Sequence, residues 1–344
     1  MDFPQVFIHE DPDDEQRAAT ELAAQVASLG IEEPFVITSA HGAALTRELA
    51  TGRPVEQIVP TADQKWAAEL GSRAHRSGAD GIVAAGGGRT LDVAKLAAAR
   101  AGLVVVSVPT QLSHDGICSP VAVVPNAAGR AESLGAIAPL AVFVSLSTLR
   151  GAPPASVAAG LGDMLANPLA LRDWKLAADR GLDEIDQRAW DISVEAYEAI
   201  EPDLDADIER IATDPGFLRR LADALVLSGL AMIVDGTSRP ASGGEHEISH
   251  ALEHIYGGRA MHGAQVAFGC IVSLALYGED TDPFRARLRT LGLPQHPADM
   301  DLDAAELTQV ILEAPNTRPG RFTILEDADL DEAAARALVD RIWP

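Results

Sequence analysis

Short β-branched runs alternate with helical patterns through the first half of the chain, and this alternation constrains the fold more than any other feature. The runs cover residues 35–38, 81–85, 103–108 and 141–144, with helical patterns over 43–49 and 90–101. The run at 103–108 is almost entirely apolar, as expected of a parallel strand that is covered on both faces. Strands that alternate with helices predict a doubly wound α/β domain with a parallel sheet.

The β signal stops after residue 144, and the rest of the chain is helical in pattern. Helical patterns cover residues 156–170, 183–199, 217–233, 244–255 and 263–277. Pro153 and Pro154 suit a linker that leads into a first helical turn. With 344 residues, the chain is about the right length for two domains. We therefore predict an α/β domain over residues 1–151 and an all-α domain over residues 152–344.

The composition argues against several classes of partner and compartment. Acidic residues outnumber basic ones 51 to 27, and the net charge of −24 would repel nucleic acid and anionic membranes. The opening residues lack the basic and apolar segments of a secretion signal, and the apolar stretch at 224–234 is too short to span a bilayer. Two cysteines cannot form a disulfide framework. We expect a cytoplasmic protein that binds neither nucleic acid nor membranes.

Three consecutive glycines, Gly86, Gly87 and Gly88, stand between the run at 81–85 and the helical pattern that follows. Glycine lets the backbone approach a phosphate closely, and a helix N-terminus presents free N–H groups and the positive end of its dipole. An ordinary tight turn between a strand and a helix accounts for the triplet equally well. The spacing also differs from GxGxxG, so the turn alone does not establish a nucleotide site.

A loop rich in small polar side chains follows the run at 103–108, at the end of the strand where open α/β sheets bind ligands. Thr110, Ser113 and Ser119 offer hydroxyl groups, and Asp115 offers a carboxylate. Taken alone, this composition is also typical of a turn without a binding function.

Histidines in the helical half suggest a metal site. His246 and His250 are four residues apart, so on a helix they share one face. His262 stands at the start of the next helical pattern, and Asp163 places a carboxylate in an otherwise apolar one. One carboxylate and two imidazoles would leave coordination positions open for water or substrate. The alternative is a pair of surface histidines on a helix that also carries His254.

Taken together and in this order, these motifs resemble the family of sn-glycerol-1-phosphate dehydrogenases. That family belongs to the superfamily of iron-containing alcohol dehydrogenases, glycerol dehydrogenase and 3-dehydroquinate synthase. The resemblance covers residues 80–325 and rests on GGGRTLDVAK, VPTQLSHDGICSP, GLGDMLANPLALRDWKLA, SRPASGGEHEISHALE, HGAQVAFG and RPGRFTIL. It implies the dehydroquinate synthase-like fold, in which a Rossmann-like N-terminal domain and an all-α C-terminal domain enclose the site.

The resemblance also implies a role for each matching residue. The pyrophosphate of NAD(P) would be held by Gly86, Gly87, Gly88, Arg89 and Thr90. The rest of the cofactor site would comprise Thr110, Gln111, Leu112, Ser113 and Ser119. A divalent metal, zinc with nickel or iron as alternatives, would be bound by Asp163, His246 and His262. The substrate would contact Asp115 and His250, so the predicted catalytic residues are Asp115, Asp163 and His250.

The predicted reaction is metal-dependent reduction of dihydroxyacetone phosphate to glycerol 1-phosphate by NAD(P)H, and its reverse, a step of phospholipid metabolism. Arg239 and Arg259 are the candidate ligands of the substrate phosphate. Alternatives on the same fold are a sugar-phosphate cyclase of the dehydroquinate synthase type and a dehydrogenase of an unphosphorylated alcohol such as glycerol. A catalytically silent binding protein is a third alternative. We expect a homo-oligomer, a dimer or larger.

Overall fold

A parallel sheet occupies the first half of the chain. The computed structural model describes residues 3–344 except Pro54, Pro60, Ala128 and Arg130. Its sheet strands are β1 (Gln5–His9), β2 (Pro34–Thr38), β3 (Val55–Gln57), β4 (Gly81–Gly86), β5 (Val104–Pro109) and β8 (Ala141–Ser145). They are parallel and stand in the order β1–β8–β5–β4–β2–β3. The hairpin strands β6 (Val121–Pro125) and β7 (Ala131–Gly135) pair antiparallel beside this sheet.

Helices cover both faces of the sheet. They are α1 (Glu15–Ser28), α2 (Ala43–Thr46), α3 (Gln64–Arg76), α4 (Gly88–Ala101) and α5 (Leu146–Leu149). Leu22 of α1 packs with Val83 and Val106 on one face, and Leu70 of α3 packs with Ile82 on the other. Alternate strand residues therefore enter opposite cores, as the period of a strand requires. The predicted doubly wound α/β architecture is confirmed.

The remainder of the chain is helical, as predicted. Its helices are α6 (Pro154–Met164), α7 (Asn167–Asp179), α8 (Gln187–Glu198), α9 (Ile208–Ile211), α10 (Pro215–Asp235), α11 (Gly244–Tyr256), α12 (His262–Leu276), α13 (Asp282–Thr290), α14 (Ala304–Glu313), α15 (Ile324–Ala328) and α16 (Glu332–Ile342). No helix among the described residues is both long enough and apolar enough to cross a membrane. The division into domains at residues 151 and 152 stays a prediction.

Two of the expected helices end earlier than the sequence pattern suggests. The continuous helix predicted over 156–170 is broken, because α6 ends at Met164 and α7 begins at Asn167. Pro168 has no N–H to donate and occupies the first turn of α7, where that N–H would be unpaired. The helix predicted over 43–49 ends at Thr46, and the chain then turns through Gly52, whose φ is +73°.

The fold places two loops and three helices around one point. Gly86 at the end of β4 stands opposite Pro109 at the end of β5, so the glycine turn and the polar loop are neighbours. Helices α6 and α12 approach so closely that a Cβ atom at Gly162 would overlap the backbone of Gly263. This contact lets Asp163, which follows Gly162, lie beside the first turn of α12.

Candidate active site

A fully buried lysine anchors the polar loop after β5. Lys95 on α4 is 0% exposed and donates to the backbone oxygens of Gly116 (2.8 Å), Ser119 (3.3 Å) and Val121. Asp92, one turn earlier on α4, forms an ion pair with Lys95 at 3.0 Å. Because the ammonium group is paired and hydrogen-bonded, its burial is compensated. The loop is therefore fixed to the same helix that begins at the glycine turn.

The glycine turn leaves the N-terminus of α4 open. Gly87 is the N-cap residue and has no side chain that could accept from the first turn of the helix, and its backbone oxygen accepts from the N–H of Thr90 at 2.9 Å. The lack of a side chain lets an anion approach the positive end of the helix dipole. The backbone N–H of Thr110 donates to the oxygen of Gly86 at 3.0 Å and holds the end of β5 beside the turn. A Cβ atom at Gly87 would lie 2.6 Å from Nε2 of Gln111. A larger residue at this position would therefore displace the Gln111 side chain.

Asp163, His246 and His262 converge from α6, α11 and α12. One candidate ligand atom from each lies within 4.8 Å of the other two. Oδ1 of Asp163 is 3.6 Å from Nε2 of His246 and 4.0 Å from Nε2 of His262. Ligand atoms of a tetrahedral site with bonds of about 2.1 Å are separated by roughly 3.4 Å. Small side-chain adjustments would therefore bring all three groups to bonding distance of one divalent ion.

Further carboxylates orient both histidines. Nδ1 of His246 donates to Oε1 of Glu245 at 2.9 Å, and Nδ1 of His262 donates to Oε1 of Glu253 at 3.1 Å. Both Nε2 atoms are thus directed at Asp163, whose Oδ1 is buried and has no hydrogen-bond partner among the described residues. Carboxylates that bind the far nitrogen of an imidazole are typical of metal-binding histidines. The orphaned Oδ1 and this donor set fit a cation.

The electrostatics of the cluster favour positive charge. Burial disfavours the charged imidazolium of His246, but Asp163 and Glu245 outweigh it and raise its pKa to about 9. At His262, burial is likewise outweighed by Glu253, and the pKa is raised. Burial also opposes ionisation of Asp163, yet the nearby imidazoles of His246 and His262 lower its pKa. A divalent cation would take the place of these protons, because imidazole must be neutral to bind a metal.

Asp115 connects the polar loop to the metal cluster. Its backbone N–H donates to Oδ2 of Asp163 at 2.9 Å, and its own Oδ2 accepts from the hydroxyl of Ser228 at 2.9 Å. Burial, and then the charge of Asp163, raise the pKa of Asp115 to about 7. Its carboxyl group can therefore exist in either protonation state near neutral pH.

His250 stands on the other side of the cluster. Its ring centroid lies 6.3 Å from that of His246 and 6.0 Å from that of His262. Burial, followed by the charge of Arg318, lowers the pKa of His250 well below its ordinary value. His250 is therefore neutral at pH 7 and can donate one hydrogen bond and accept another.

One cavity of about 760 Å³ joins the glycine turn to the histidines. The predicted site residues that line it are Gly88, Arg89, Gln111, Ser113, Asp115, Ser119, His246, His250 and His262. Asp163 lies directly behind this wall and is 3% exposed. The structure thus brings together the predicted metal, substrate and cofactor residues, whose individual roles stay predictions.

Other predicted cofactor residues lie near the cavity but outside its wall. These residues are Gly86, Gly87, Thr90, Thr110 and Leu112. Thr110 lines a second, smaller cavity with Gln111. The side chain of Leu112 is 0% exposed within the apolar core, so only its backbone could contact a cofactor.

The arginines expected to bind a phosphate are occupied elsewhere. Nε of Arg239 pairs with Asp183 at 2.6 Å, and Nη1 donates to the backbone oxygen of Phe322 at 2.8 Å. The exposed guanidinium of Arg259 stacks on the ring of Tyr256, with Cζ 4.7 Å from its centroid. Neither arginine is among the described residues that line the cavity. The prediction that they bind the substrate phosphate is therefore not supported.

Three further residues that no sequence pattern assigned to the site also line the cavity: His114, Ser242 and Arg318. The ring of His114 lies 5.7 Å from that of His262, and its Nδ1 accepts from the N–H of Gly116 at 3.0 Å. The position of His114 in the polar loop could have indicated that its side chain faces the cavity. Ser242 and Arg318 lie 76 residues apart in sequence (318 − 242), and only the fold shows that they share a cavity wall.

Comparison with known sequences places the chain among dehydrogenases. The family model of iron-containing alcohol dehydrogenase matches residues 15–153. Glycerol-1-phosphate dehydrogenase [NAD(P)+] from Methanocorpusculum labreanum is 33% identical over 333 residues, 95% of this chain and 91% of its own. The protein of the same name from Pyrococcus furiosus is 38% identical over 256 residues, 74% of this chain and 73% of its own.

Solved structures of dehydrogenases share the fold. A probable glycerol dehydrogenase from Sinorhizobium meliloti 1021 superposes with a TM-score of 0.80 at 23% identity, covering 99% of this chain and 96% of its own. Glycerol dehydrogenase from Schizosaccharomyces pombe gives a TM-score of 0.77 at 17% identity, covering 98% and 89%. At these identities the similarity establishes the architecture of the chain.

Proposed function

The chain belongs to the glycerol-1-phosphate dehydrogenase family, and we propose that it interconverts dihydroxyacetone phosphate and sn-glycerol 1-phosphate. Membership makes it an NAD(P)-dependent, metal-containing dehydrogenase. The observation that carries the proposal is one cavity with two functional ends. The N-terminus of α4 and the polar loop stand at one end, and the cluster of Asp163, His246 and His262 stands at the other.

The metal cluster supplies the electrophilic part of the chemistry. Asp163, His246 and His262 would hold the ion, and the ion when bound would act as a Lewis acid on the ketone oxygen. We propose zinc, because one carboxylate and two imidazoles leave a fourth tetrahedral position open to substrate. Nickel and iron accept the same nitrogen and oxygen donors and stay alternatives.

The surrounding residues would position the cofactor and the substrate and transfer the proton. The open N-terminus of α4 would bind the pyrophosphate of the nicotinamide cofactor, with Ser113 and Ser119 of the anchored loop on the nicotinamide side. Asp115 and His250 would bind the substrate hydroxyl and carbonyl groups. The carboxyl group of Asp115 and the imidazole of His250 can each hold a proton, so either can pass one to or from bound water.

A cofactor balance tests the proposal against the cyclase alternative. If the protein is a dehydrogenase, its metal-loaded form should oxidise one NAD(P)H to NAD(P)+ for each dihydroxyacetone phosphate that it reduces. A cyclase oxidises its substrate only transiently and returns the cofactor unchanged, so it shows no net turnover of NAD(P)H. Phosphate released from the ester without net cofactor oxidation would therefore contradict the proposal.

The glycine turn gives a separate prediction for cofactor binding. Gly87→Val should weaken NAD(H) binding at least tenfold, because its branched side chain would fill the approach to the pyrophosphate and displace Gln111. Fluorescence titration of NADH measures the affinity, and metal analysis should show unchanged metal content. An NADH affinity equal to that of the wild type in this variant would show that the glycine turn is not part of the cofactor site.

Cellular location and assembly complete the proposal. Cys118 and Cys270 are free, buried thiols, which suits the reducing cytoplasm. Strand β1 is an edge of the sheet and exposes Val6, so it offers both backbone groups and apolar surface to another subunit. We retain the cytoplasmic location and the homo-oligomer, a dimer or larger, as parts of the proposal.

A further inference from the structure

We propose that Arg318 and Ser242 form the seat for the phosphate group of the substrate, with Arg321 and Ser238 as positioning residues. This proposal deepens the function given above and rests on it, because it assigns the group that would distinguish a phosphorylated ketone from an unphosphorylated one. It also replaces Arg239 and Arg259, which the fold engages elsewhere.

Arg318 is a cation in the cavity wall that interacts electrostatically with Glu247 and Glu245 but forms no ion pair with either of them in the described structure. It follows a short 3-10 helix at Ala314–Thr317 and lines the same wall as His250. Its Nη1 donates to the hydroxyl of Ser238 at 2.6 Å. Among the described residues it forms no ion pair with a carboxylate, whereas Arg239 pairs with Asp183 at 2.6 Å. A guanidinium group with spare donors in a partly buried wall suits the geometry of a phosphate.

A second arginine converges on the same serine. Nη2 of Arg321 donates to the hydroxyl of Ser238 at 2.9 Å, and Nη1 donates to the backbone oxygen of Ser242. Two guanidinium groups that share one neutral acceptor repel each other. The charges of Glu247 and Glu245 offset part of this repulsion, but among the described residues neither carboxylate forms an ion pair with Arg318 or Arg321. An anion bound between Arg318 and the cavity would offset the remaining repulsion.

Ser242 supplies an independent indication of a ligand. Its hydroxyl is buried, has no hydrogen-bond partner among the described residues, and belongs to a residue that lines the cavity with Arg318. Burying a hydroxyl group without a partner costs free energy, so such groups are rare in folded proteins and point to a missing partner. A phosphate oxygen would accept its hydrogen bond.

The position of the seat agrees with the charges of the cavity. Arg89 lies at the glycine turn, where the cofactor pyrophosphate is proposed, and Arg318 lies on the wall shared with His250 and Ser238. Asp115, His246 and His262 line the same cavity as both arginines. The proposal therefore places the ketone beside these histidines and its phosphate on Arg318, within the cavity that would also hold the cofactor.

Steady-state kinetics of Arg318→Met, Ser242→Ala and Arg336→Met test the seat, each with dihydroxyacetone phosphate and with dihydroxyacetone. In Arg318→Met, the ratio of kcat/KM for the two substrates should fall roughly tenfold to a hundredfold. In Ser242→Ala, the ratio should fall roughly threefold to tenfold. Arg336→Met, which removes the arginine of α16 that pairs with Asp340 at 2.9 Å, is the matched control and should keep the ratio and the activity of the wild type. Metal content should be unchanged in all three variants.

The same variants distinguish a substrate phosphate seat from a cofactor-binding or purely structural role of Arg318. An unchanged ratio in Arg318→Met, or an equal loss with both substrates, would overturn the proposal. A higher KM for NADPH with an unchanged KM for NADH would instead assign Arg318 to the 2′-phosphate of the cofactor and also overturn it. If Arg318→Met fails to fold, the ratio in Ser242→Ala decides.

Inhibition by inorganic phosphate distinguishes failure of the seat from failure of the proposed function. In the wild type, phosphate should compete with the ketone, and in Arg318→Met its inhibition should be at least about tenfold weaker. If the wild type shows no preference for the phosphorylated ketone but this inhibition depends on Arg318, the function is wrong and the anion seat stands. If the preference is present but inhibition is the same in both proteins, the function stands and the seat is wrong.

Discussion

Replacing Asp163 by alanine should remove the bound metal and lower kcat/KM for ketone reduction at least about 10³-fold, equivalent to about 4 kcal/mol. The variant loses Oδ1, the buried atom to which Nε2 of both His246 and His262 are directed. His246→Ala and His262→Ala should behave in the same way. Elemental analysis of the purified variants measures the metal, and thermal unfolding reports whether they remain folded.

Two comparisons make the metal prediction specific. Asp340→Ala removes a carboxylate on α16 that pairs with Arg336, and it should keep full metal content and activity. His250→Ala should retain the metal but lose turnover, because His250 borders the cluster without belonging to it. Full metal occupancy in all of the Asp163, His246 and His262 variants would contradict the assignment. Loss of metal from His250→Ala would show that the wrong histidine of the pair was chosen.

Removing the phosphate from the substrate should lower kcat/KM of the wild-type protein on the order of a hundredfold or more, about 3 kcal/mol of transition-state binding. A site built to bind an anion leaves its cations and hydroxyl groups unpaired when the anion is missing. Parallel assays with dihydroxyacetone phosphate and dihydroxyacetone, at the same metal and cofactor concentrations, measure this difference.

Equal kcat/KM values for the two ketones would contradict the proposal that the substrate is phosphorylated. A metal- and NAD(P)-dependent dehydrogenase of an unphosphorylated alcohol would then remain, because the metal cluster and the cofactor end of the cavity do not depend on the phosphate.

Local sequence patterns predicted four of the six strands of the sheet that carries the site. Each of these four is present within one residue of its expected ends, because runs such as Val104–Pro109 are covered on both faces and stay apolar throughout. The two edge strands, β1 and β3, were not predicted. Most of their side chains are exposed or half-buried, so their hydrophobic patterns are weak. The hairpin of β6 and β7 was also missed, since its strands are only partly buried.

The arginine that faces the cavity was harder to predict than the metal ligands, because arginines form ion pairs with residues that are distant in sequence. His246 and His250 are neighbours on one helix, so their spacing already places them together. Arg239, by contrast, was assigned to the phosphate from its nearness in sequence to His246, but its partner Asp183 lies 56 residues away. Arg318 lines the cavity because it follows a short 3-10 helix near the end of the chain. Which arginine is neutralised is decided by tertiary packing, which no local pattern records.

Oxidation of the two enantiomers of glycerol phosphate tests the central claim most directly. The metal-loaded protein should reduce NAD+ or NADP+ with sn-glycerol 1-phosphate and show little or no activity with sn-glycerol 3-phosphate. The metal, the phosphate seat and the nicotinamide would fix three points of the substrate, so only one enantiomer presents its hydrogen to the cofactor. Equal rates with both enantiomers, a preference for sn-glycerol 3-phosphate, or no cofactor reduction with either would contradict the account.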